Sequence, residues 1–119
     1  MEKVYSRPES LDISNNKFCP GCMHSTFIKI CMQVIDELGI GDRAVVIQPI
    51  GCANNSSPCI AIDQGCALHG RAPAYATGLK RCHPESIVFT YQGDGDLSSI
   101  GFAEVMHAAN RGENICVFY

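Results

Sequence analysis

The chain has 119 residues, eight of them cysteine, with a net charge of -3 at pH 7 and an isoelectric point near 5.7. That length allows one domain with a small core. The acidic balance argues against nucleic acid as a partner, because such binders need a basic face to displace counterions. Apolar runs fall far short of the ~20 residues that a membrane span requires. The N-terminus has no basic patch followed by an apolar stretch, so no signal peptide is read, and a cytoplasmic protein is expected.

Residues 1–17 are polar and aperiodic and read as an arm ahead of a domain over 18–119. Cys19-Pro20-Gly21-Cys22 is a turn by composition. Over residues 25–38, Phe27, Ile28, Ile30, Cys31, Val34, Ile35 and Leu38 recur at spacings of three and four. That pattern predicts an amphipathic helix, closed by Gly39 and Gly41. Residues 44–50 predict a buried β-branched strand that runs straight into Gly51-Cys52. Residues 53–69 read as irregular, with Asn-Asn-Ser-Ser-Pro as loop chemistry.

A short helix is expected over 73–81, stopped by His83-Pro84, and a second strand over 86–91. Ser98 or Ser99 is expected to cap a helix over 100–110, with Glu104 favourable against its dipole. A third strand is expected over 115–119. Strands alternating with helices predict an α/β fold, an open parallel sheet with flanking helices. The sequence stops inside that last strand with no helix after it, so the domain is expected to be incomplete.

In open parallel sheets ligands bind beyond the carboxyl ends of the strands. Gly51-Cys52 follows the first predicted strand, and Gly93-Asp94-Gly95-Asp96 follows the second. Glycines let the backbone turn tightly and approach a ligand. The following helix would offer free N–H groups to an anion. A carboxylate beside an anion site makes sense when Mg²⁺ lies between them, taking oxygens from protein and diphosphate. Asp94 is the candidate for that role. The same letters also suit an Asp-Gly turn that merely caps a helix.

Nothing implies export, so metal or redox use is the better reading of so many cysteines. Cys31 within the helical pattern and Cys116 within the apolar strand read as small buried hydrophobes. CPGC suits a zinc knuckle or a redox pair, and Cys59 or Cys66 could complete a zinc set with Cys52. His24, His83 and His107 read as ordinary packing or surface residues, and Arg71 as either an anion contact or a surface residue.

The motifs FCPGC, PIGC, HGRAPAYATGLK and YQGDGDLSSIGFAEVMHAANRGEN, in that order, resemble the β subunit of 2-oxoacid:ferredoxin oxidoreductases. The 2-oxoisovalerate and 2-oxoglutarate types are nearest, and the resemblance covers residues 18–119. It implies a thiamine diphosphate-binding fold. Asp94 would be a Mg²⁺ ligand, Gly93, Gly95 and Asp96 would line the diphosphate, Gly51 and Cys52 would lie beside the cofactor, and His69 and Gly70 would approach its thiazolium ring. Cys19, Cys22 and Cys52 would supply three ligands of a [4Fe–4S] cluster, the fourth coming from beyond Tyr119.

The implied activity is oxidative decarboxylation of a 2-oxoacid with coenzyme A to an acyl-CoA, with ferredoxin as electron acceptor. The implied partner is an α subunit whose pyrimidine-binding domain brings the proton-transferring glutamate, so no catalytic residue is assigned to this chain. The resemblance also leaves room for γ and ferredoxin-like δ subunits. Met23 and Ser25 stand where the family usually carries glycines, and the loop over 54–65 departs from the aromatic-rich stretch of branched-chain members. The asparagine end of the thiamine motif is expected just after Tyr119. A second reading is a non-catalytic cysteine-rich module that holds zinc or an Fe–S cluster and acts by association.

Overall fold

The computed structural model describes residues 4–119; the first three residues of the predicted arm lie outside the described residues. Helix α1 (Met23–Leu38) leads to strand β1 (Ala44–Gln48), then a 3₁₀ segment (Cys52–Cys59) and strand β2 (Asp63–Cys66). Helix α2 (Ala72–Cys82), strand β3 (Ile87–Tyr91), helix α3 (Phe102–Asn110) and strand β4 (Cys116–Phe118) complete the order. The strands form one parallel sheet of order β2-β1-β3-β4. The chain winds outward from β1 to β2, then returns to the other side of β1 with β3. A topological switch point therefore lies between β1 and β3.

Alternation along the strands sends side chains to two faces. Ala44, Val46, Phe89 and Tyr91 point to the face covered by α1, where they meet Ile28, Met32 and Ile35. Ile47 and Val88 point to the opposite face, against Ala72 and Ala76 of α2. The alanines let α2 lie close to the sheet, and α3 packs beside it. Helix α1 ends at Gly39, which is left-handed at φ 61° and bonds back to Asp36 and Ile35.

All six predicted helices and strands are present within two residues of their expected bounds. The structure departs from expectation in four places. Residues 63–66 form a strand, although 53–69 reads as irregular, because β2 is an exposed edge that gains its order from pairing with β1. Neither Ser98 nor Ser99 caps a helix at residue 100. Helical winding already begins at Asp94, runs through a π-helical stretch (Gly95–Ile100), and passes Gly101 into α3. Ser98 Oγ instead donates to the Asp94 carbonyl at 2.8 Å.

Cys116 is exposed rather than buried, because β4 is the sheet's other edge. The predicted arm does not stay apart from the domain over 18–119. Leu11 bridges Ile60 and joins the core, and Asp36 of α1 accepts hydrogen bonds from Glu9 N and Ser10 N. A groove of about 700 Å³ between the arm and α1 reaches Gly41 and Asp42, just ahead of the amino end of β1, and Asp36, which helps to line it, is engaged by these contacts. Helix α1 also carries more apolar surface than it buries: Ile30, Val34 and Leu38 form an exposed stripe on its outer side.

Gly70 and Gly101 fix the loop after β2 against the helix after β3. A Cβ on Gly70, whose φ is 79°, would come within 2.8 Å of Gly101 N, and one on Gly101 would come within 2.6 Å of Gly70 O. Neither neighbour can retreat, because both are backbone. Gly101→Ala is expected to destabilise the protein by roughly 1–3 kcal/mol, read as a lower denaturant midpoint at unchanged slope. Burial pushes the Cys31 thiol up to about 11, with the nearby Cys116 adding to it. Iodoacetamide should therefore label Cys31 on the order of a hundred times more slowly at pH 8 than an unburied thiol, because only the thiolate reacts; peptide mass spectrometry reads the ratio.

Candidate functional site

The carboxyl ends of β1 and β3 flank the switch point and carry the two turns picked out in the sequence. After β1 the chain runs through Pro49 and Ile50 to Gly51, at φ 102°, and then Cys52 opens the 3₁₀ segment. After β3 it runs through buried Gln92 to Gly93 and Asp94, where helical winding starts at φ -54°, ψ -48°. Asp94 and Gly95 are exposed, and a Cβ added to Gly93 or Gly95 would meet nothing within 4 Å. The turn is thus open above its backbone. An exposed carboxylate stands at the start of a helix whose first N–H groups favour anions.

A cleft of about 630 Å³ joins this turn to the start of α1, lined among others by Cys22, His24, Phe27, Asp94 and Tyr119. The CPGC turn and the Gly-Asp-Gly turn therefore share one cleft, although they lie far apart in sequence. CPGC is a true turn: Cys22 N donates to Cys19 O at 3.0 Å, and Gly21 is left-handed at φ 75°. Aromatic rings brace the cleft wall. Phe27 stacks on Tyr91 at 4.2 Å, and Phe18 stacks on His24 at 5.3 Å. His24 Nδ1 hydrogen-bonds the Tyr91 hydroxyl. Burial, with Cys22 nearby, pushes that phenol up to about 12, so it stays protonated at neutral pH. Reading the sequence alone missed this pair; the signal was Tyr91-Gln92 immediately before Gly93, and His24 two residues after Cys22.

Asp96 stands elsewhere than its neighbours suggest. Its side chain turns inward and is 3% exposed. One oxygen accepts the Gly70 N–H at 2.9 Å and also meets His69 Nδ1. The other accepts from Gln92 Nε2. The Asp96 carboxylate is therefore below the turn, while Asp94 is above it. His69 keeps a 40% exposed ring beside this carboxylate. Arg71 is not a free anion contact, since it pairs with Glu104 of α3.

The thiols are less closely assembled. Cys19 and Cys52 are exposed, Cys22 is half-buried, and all three are free. Among the described residues no three His, Cys, Asp or Glu side chains are grouped to hold a metal ion. The structure thus brings Cys22 to the cleft of Asp94 but does not gather Cys19, Cys22 and Cys52 into a ligand set. A cluster does not fit this arrangement of thiols as it stands. Mg²⁺ makes a lighter demand, because it keeps waters and takes one or two protein carboxylates beside a ligand's phosphates. Asp94 meets it. At the carboxyl end of β1, Gln48 Nε2 is a buried donor without a hydrogen-bond partner among the described residues.

Residues 39–119 match the family described as thiamine pyrophosphate enzyme, C-terminal TPP binding domain. The ketoisovalerate oxidoreductase subunit VorA of Methanothermobacter thermautotrophicus is 42% identical over 128 residues, covering 99% of this chain and 27% of that protein. The 2-oxoglutarate synthase subunit KorB of Methanocaldococcus jannaschii is 32% identical over 101 residues, covering 84% of this chain and 37% of that protein. The solved 2-oxoglutarate:ferredoxin oxidoreductase from Magnetococcus marinus superposes with a TM-score of 0.85 at 29% identity, over 96% of this chain and 40% of that one. The chain spans between about a quarter and two fifths of the length of these relatives. The fold, the turn at the switch point and the match over the sheet agree: the chain belongs to the thiamine pyrophosphate enzymes through their C-terminal TPP-binding domain, and its relatives there are 2-oxoacid:ferredoxin oxidoreductase subunits of the 2-oxoisovalerate and 2-oxoglutarate types.

Proposed function

We propose that this chain is the cofactor-binding part of an enzyme subunit that oxidatively decarboxylates a 2-oxoacid, with coenzyme A, to an acyl-CoA, with ferredoxin as the electron acceptor. The observation that carries this reading is the open Gly93-Asp94-Gly95 turn at the switch point of a sheet that matches the TPP-binding family. When bound, thiamine diphosphate supplies the electron sink that a 2-oxoacid needs to lose CO₂. What the protein contributes is binding, orientation and electrostatics.

Asp94 would hold Mg²⁺ against the diphosphate. Gly93 and Gly95 let the phosphates approach the backbone, and the helix start favours their charge. Gly51 and Cys52 bound the site from β1, and His69 with Gly70 approaches the thiazolium ring. Asp96 serves this site from beneath rather than by lining it, as its inward carboxylate requires. The proton-transferring glutamate comes from the pyrimidine-binding domain of an α subunit. Association with γ and ferredoxin-like δ subunits in the cytoplasm completes the reading. Cys19, Cys22 and Cys52 would have to close around a cluster together with a fourth thiolate. Among the described residues these thiols are not gathered.

The decisive experiment is anaerobic calorimetric titration of thiamine diphosphate with Mg²⁺ into the full-length protein assembled with its partner subunit. Binding is expected, and Asp94→Ala should weaken it by roughly 2–4 kcal/mol, on the order of thirtyfold to a thousandfold. Unchanged affinity in Asp94→Ala would remove the metal role, and absence of binding in the unmutated protein would sink the enzyme reading.

A further inference from the structure

We infer that Asp96 and Gln92 are positioning residues for His69 that set the tautomer of its ring: when the imidazole is neutral its proton sits on Nδ1 and the Nε2 lone pair faces outward as the ring's working atom. This rests on the reading above for what His69 works upon, but the hydrogen bonds that impose it do not depend on that reading.

The assignment follows from a buried chain of donors and acceptors. Thr90 is fully buried, and its hydroxyl donates to Gln92 Oε1 at 3.0 Å. The orientation of the Gln92 amide, which is itself 1% exposed, is set at its other end: the ionised Asp96 carboxylate only accepts, so Gln92 turns Nε2 toward it and leaves Oε1 for Thr90. The other Asp96 oxygen accepts the Gly70 N–H at 2.9 Å. An ionised carboxylate has acceptors only. The contact with His69 Nδ1 is therefore a hydrogen bond only if the ring donates. With the proton on Nε2 instead, two lone pairs would face each other where no water can intervene, and buried acceptors are rarely left in that state.

The backbone holds the ring in place as well. Gly70 and Gly101 touch backbone to backbone, so the residue next to His69 cannot slide along the helix start. Asp96 N and Gly101 N bond within the same turn, to Gly93 O and Asp96 O. Nε2 has no hydrogen-bond partner among the described residues, and the ring is 40% exposed. A neutral imidazole held at Nδ1 presents an acceptor at Nε2, able to take a hydrogen bond or a proton from a bound group.

The test uses the full-length assembled protein with ring-¹⁵N histidine in this chain, at pH 8, and long-range ¹H–¹⁵N correlation of the rings. His69→Gln identifies the His69 signals. The expected result is a protonated Nδ1 and an unprotonated Nε2. In Asp96→Ala no acceptor faces Nδ1, and the Nδ1–H form should fall to half or less of the His69 population. Exchanging the pair, Asp96→Asn with Gln92→Glu, keeps every hydrogen bond, because the new amide oxygen still accepts from Gly70 N and His69 Nδ1 while its NH2 donates to the new carboxylate, and it should keep that form. An Nε2–H signal in the unmutated protein, or an unchanged tautomer in Asp96→Ala, would overturn the inference. If Asp96→Ala does not fold, the exchanged pair decides: Nδ1–H supports the inference and Nε2–H overturns it. Failure of the cofactor titration would sink the enzyme reading and leave this result standing.

Discussion

A carboxylate shut away from water must be fully satisfied or it destabilises the fold around it. Asp96 is such a group, and much of the site follows from satisfying it. Its acceptors draw in the loop after β2 through His69 and Gly70, and the end of β3 through Gln92. These segments are separated by 27 residues at the His69 contact, so nothing local would bring them together. The carboxylate serves as the rivet between two turns that hydrophobic packing alone would leave free to shift. The glycine contact beneath it removes the space in which they could slip.

Above that rivet, the sheet supplies the geometry that binding needs. The order β2-β1-β3-β4 makes the chain leave β1 and β3 in opposite directions, which opens a crevice between their carboxyl ends. Asp94 stands on its β3 side, in a cleft shared with Cys22 and His24 at the start of α1. Two aspartates only two positions apart thereby acquire opposite tasks. Asp94 is exposed and free to meet a cation, while Asp96 is enclosed and committed to the protein. Helical winding that starts at Asp94 is what divides them, because it carries side chains two positions apart to nearly opposite sides.

Much of this was legible in the residues. Spacings of three and four marked α1, β-branched runs marked β1 and β3, and the glycine-flanked aspartates marked the turn that matters. What was not legible depended on tertiary pairing. Asp63-Gln64-Gly65-Cys66 has no β-forming signature and becomes a strand only because β1 offers a partner. The π-helical stretch has no letter pattern of its own, and the serines within it resemble caps. Asp96 could not be separated from Asp94 by composition, since only the contacts of His69 and Gly70 reveal which one is enclosed. The pairing of His24 with Tyr91 joins residues 67 positions apart and lay equally out of reach.

The parallel sheet has one more consequence, for the order of events in folding. Parallel neighbours are never joined by a hairpin, so each pairing, such as Val45 with Val88, waits on the closure of a long loop. The entropy of that closure is spent before any contact repays it. The tie between His69 and Asp96 bridges the ends of β2 and β3, which are not neighbours but flank β1 on either side. Its geometry is met when both are docked on β1, so a chain that holds His69 in place has the centre of its sheet in place as well.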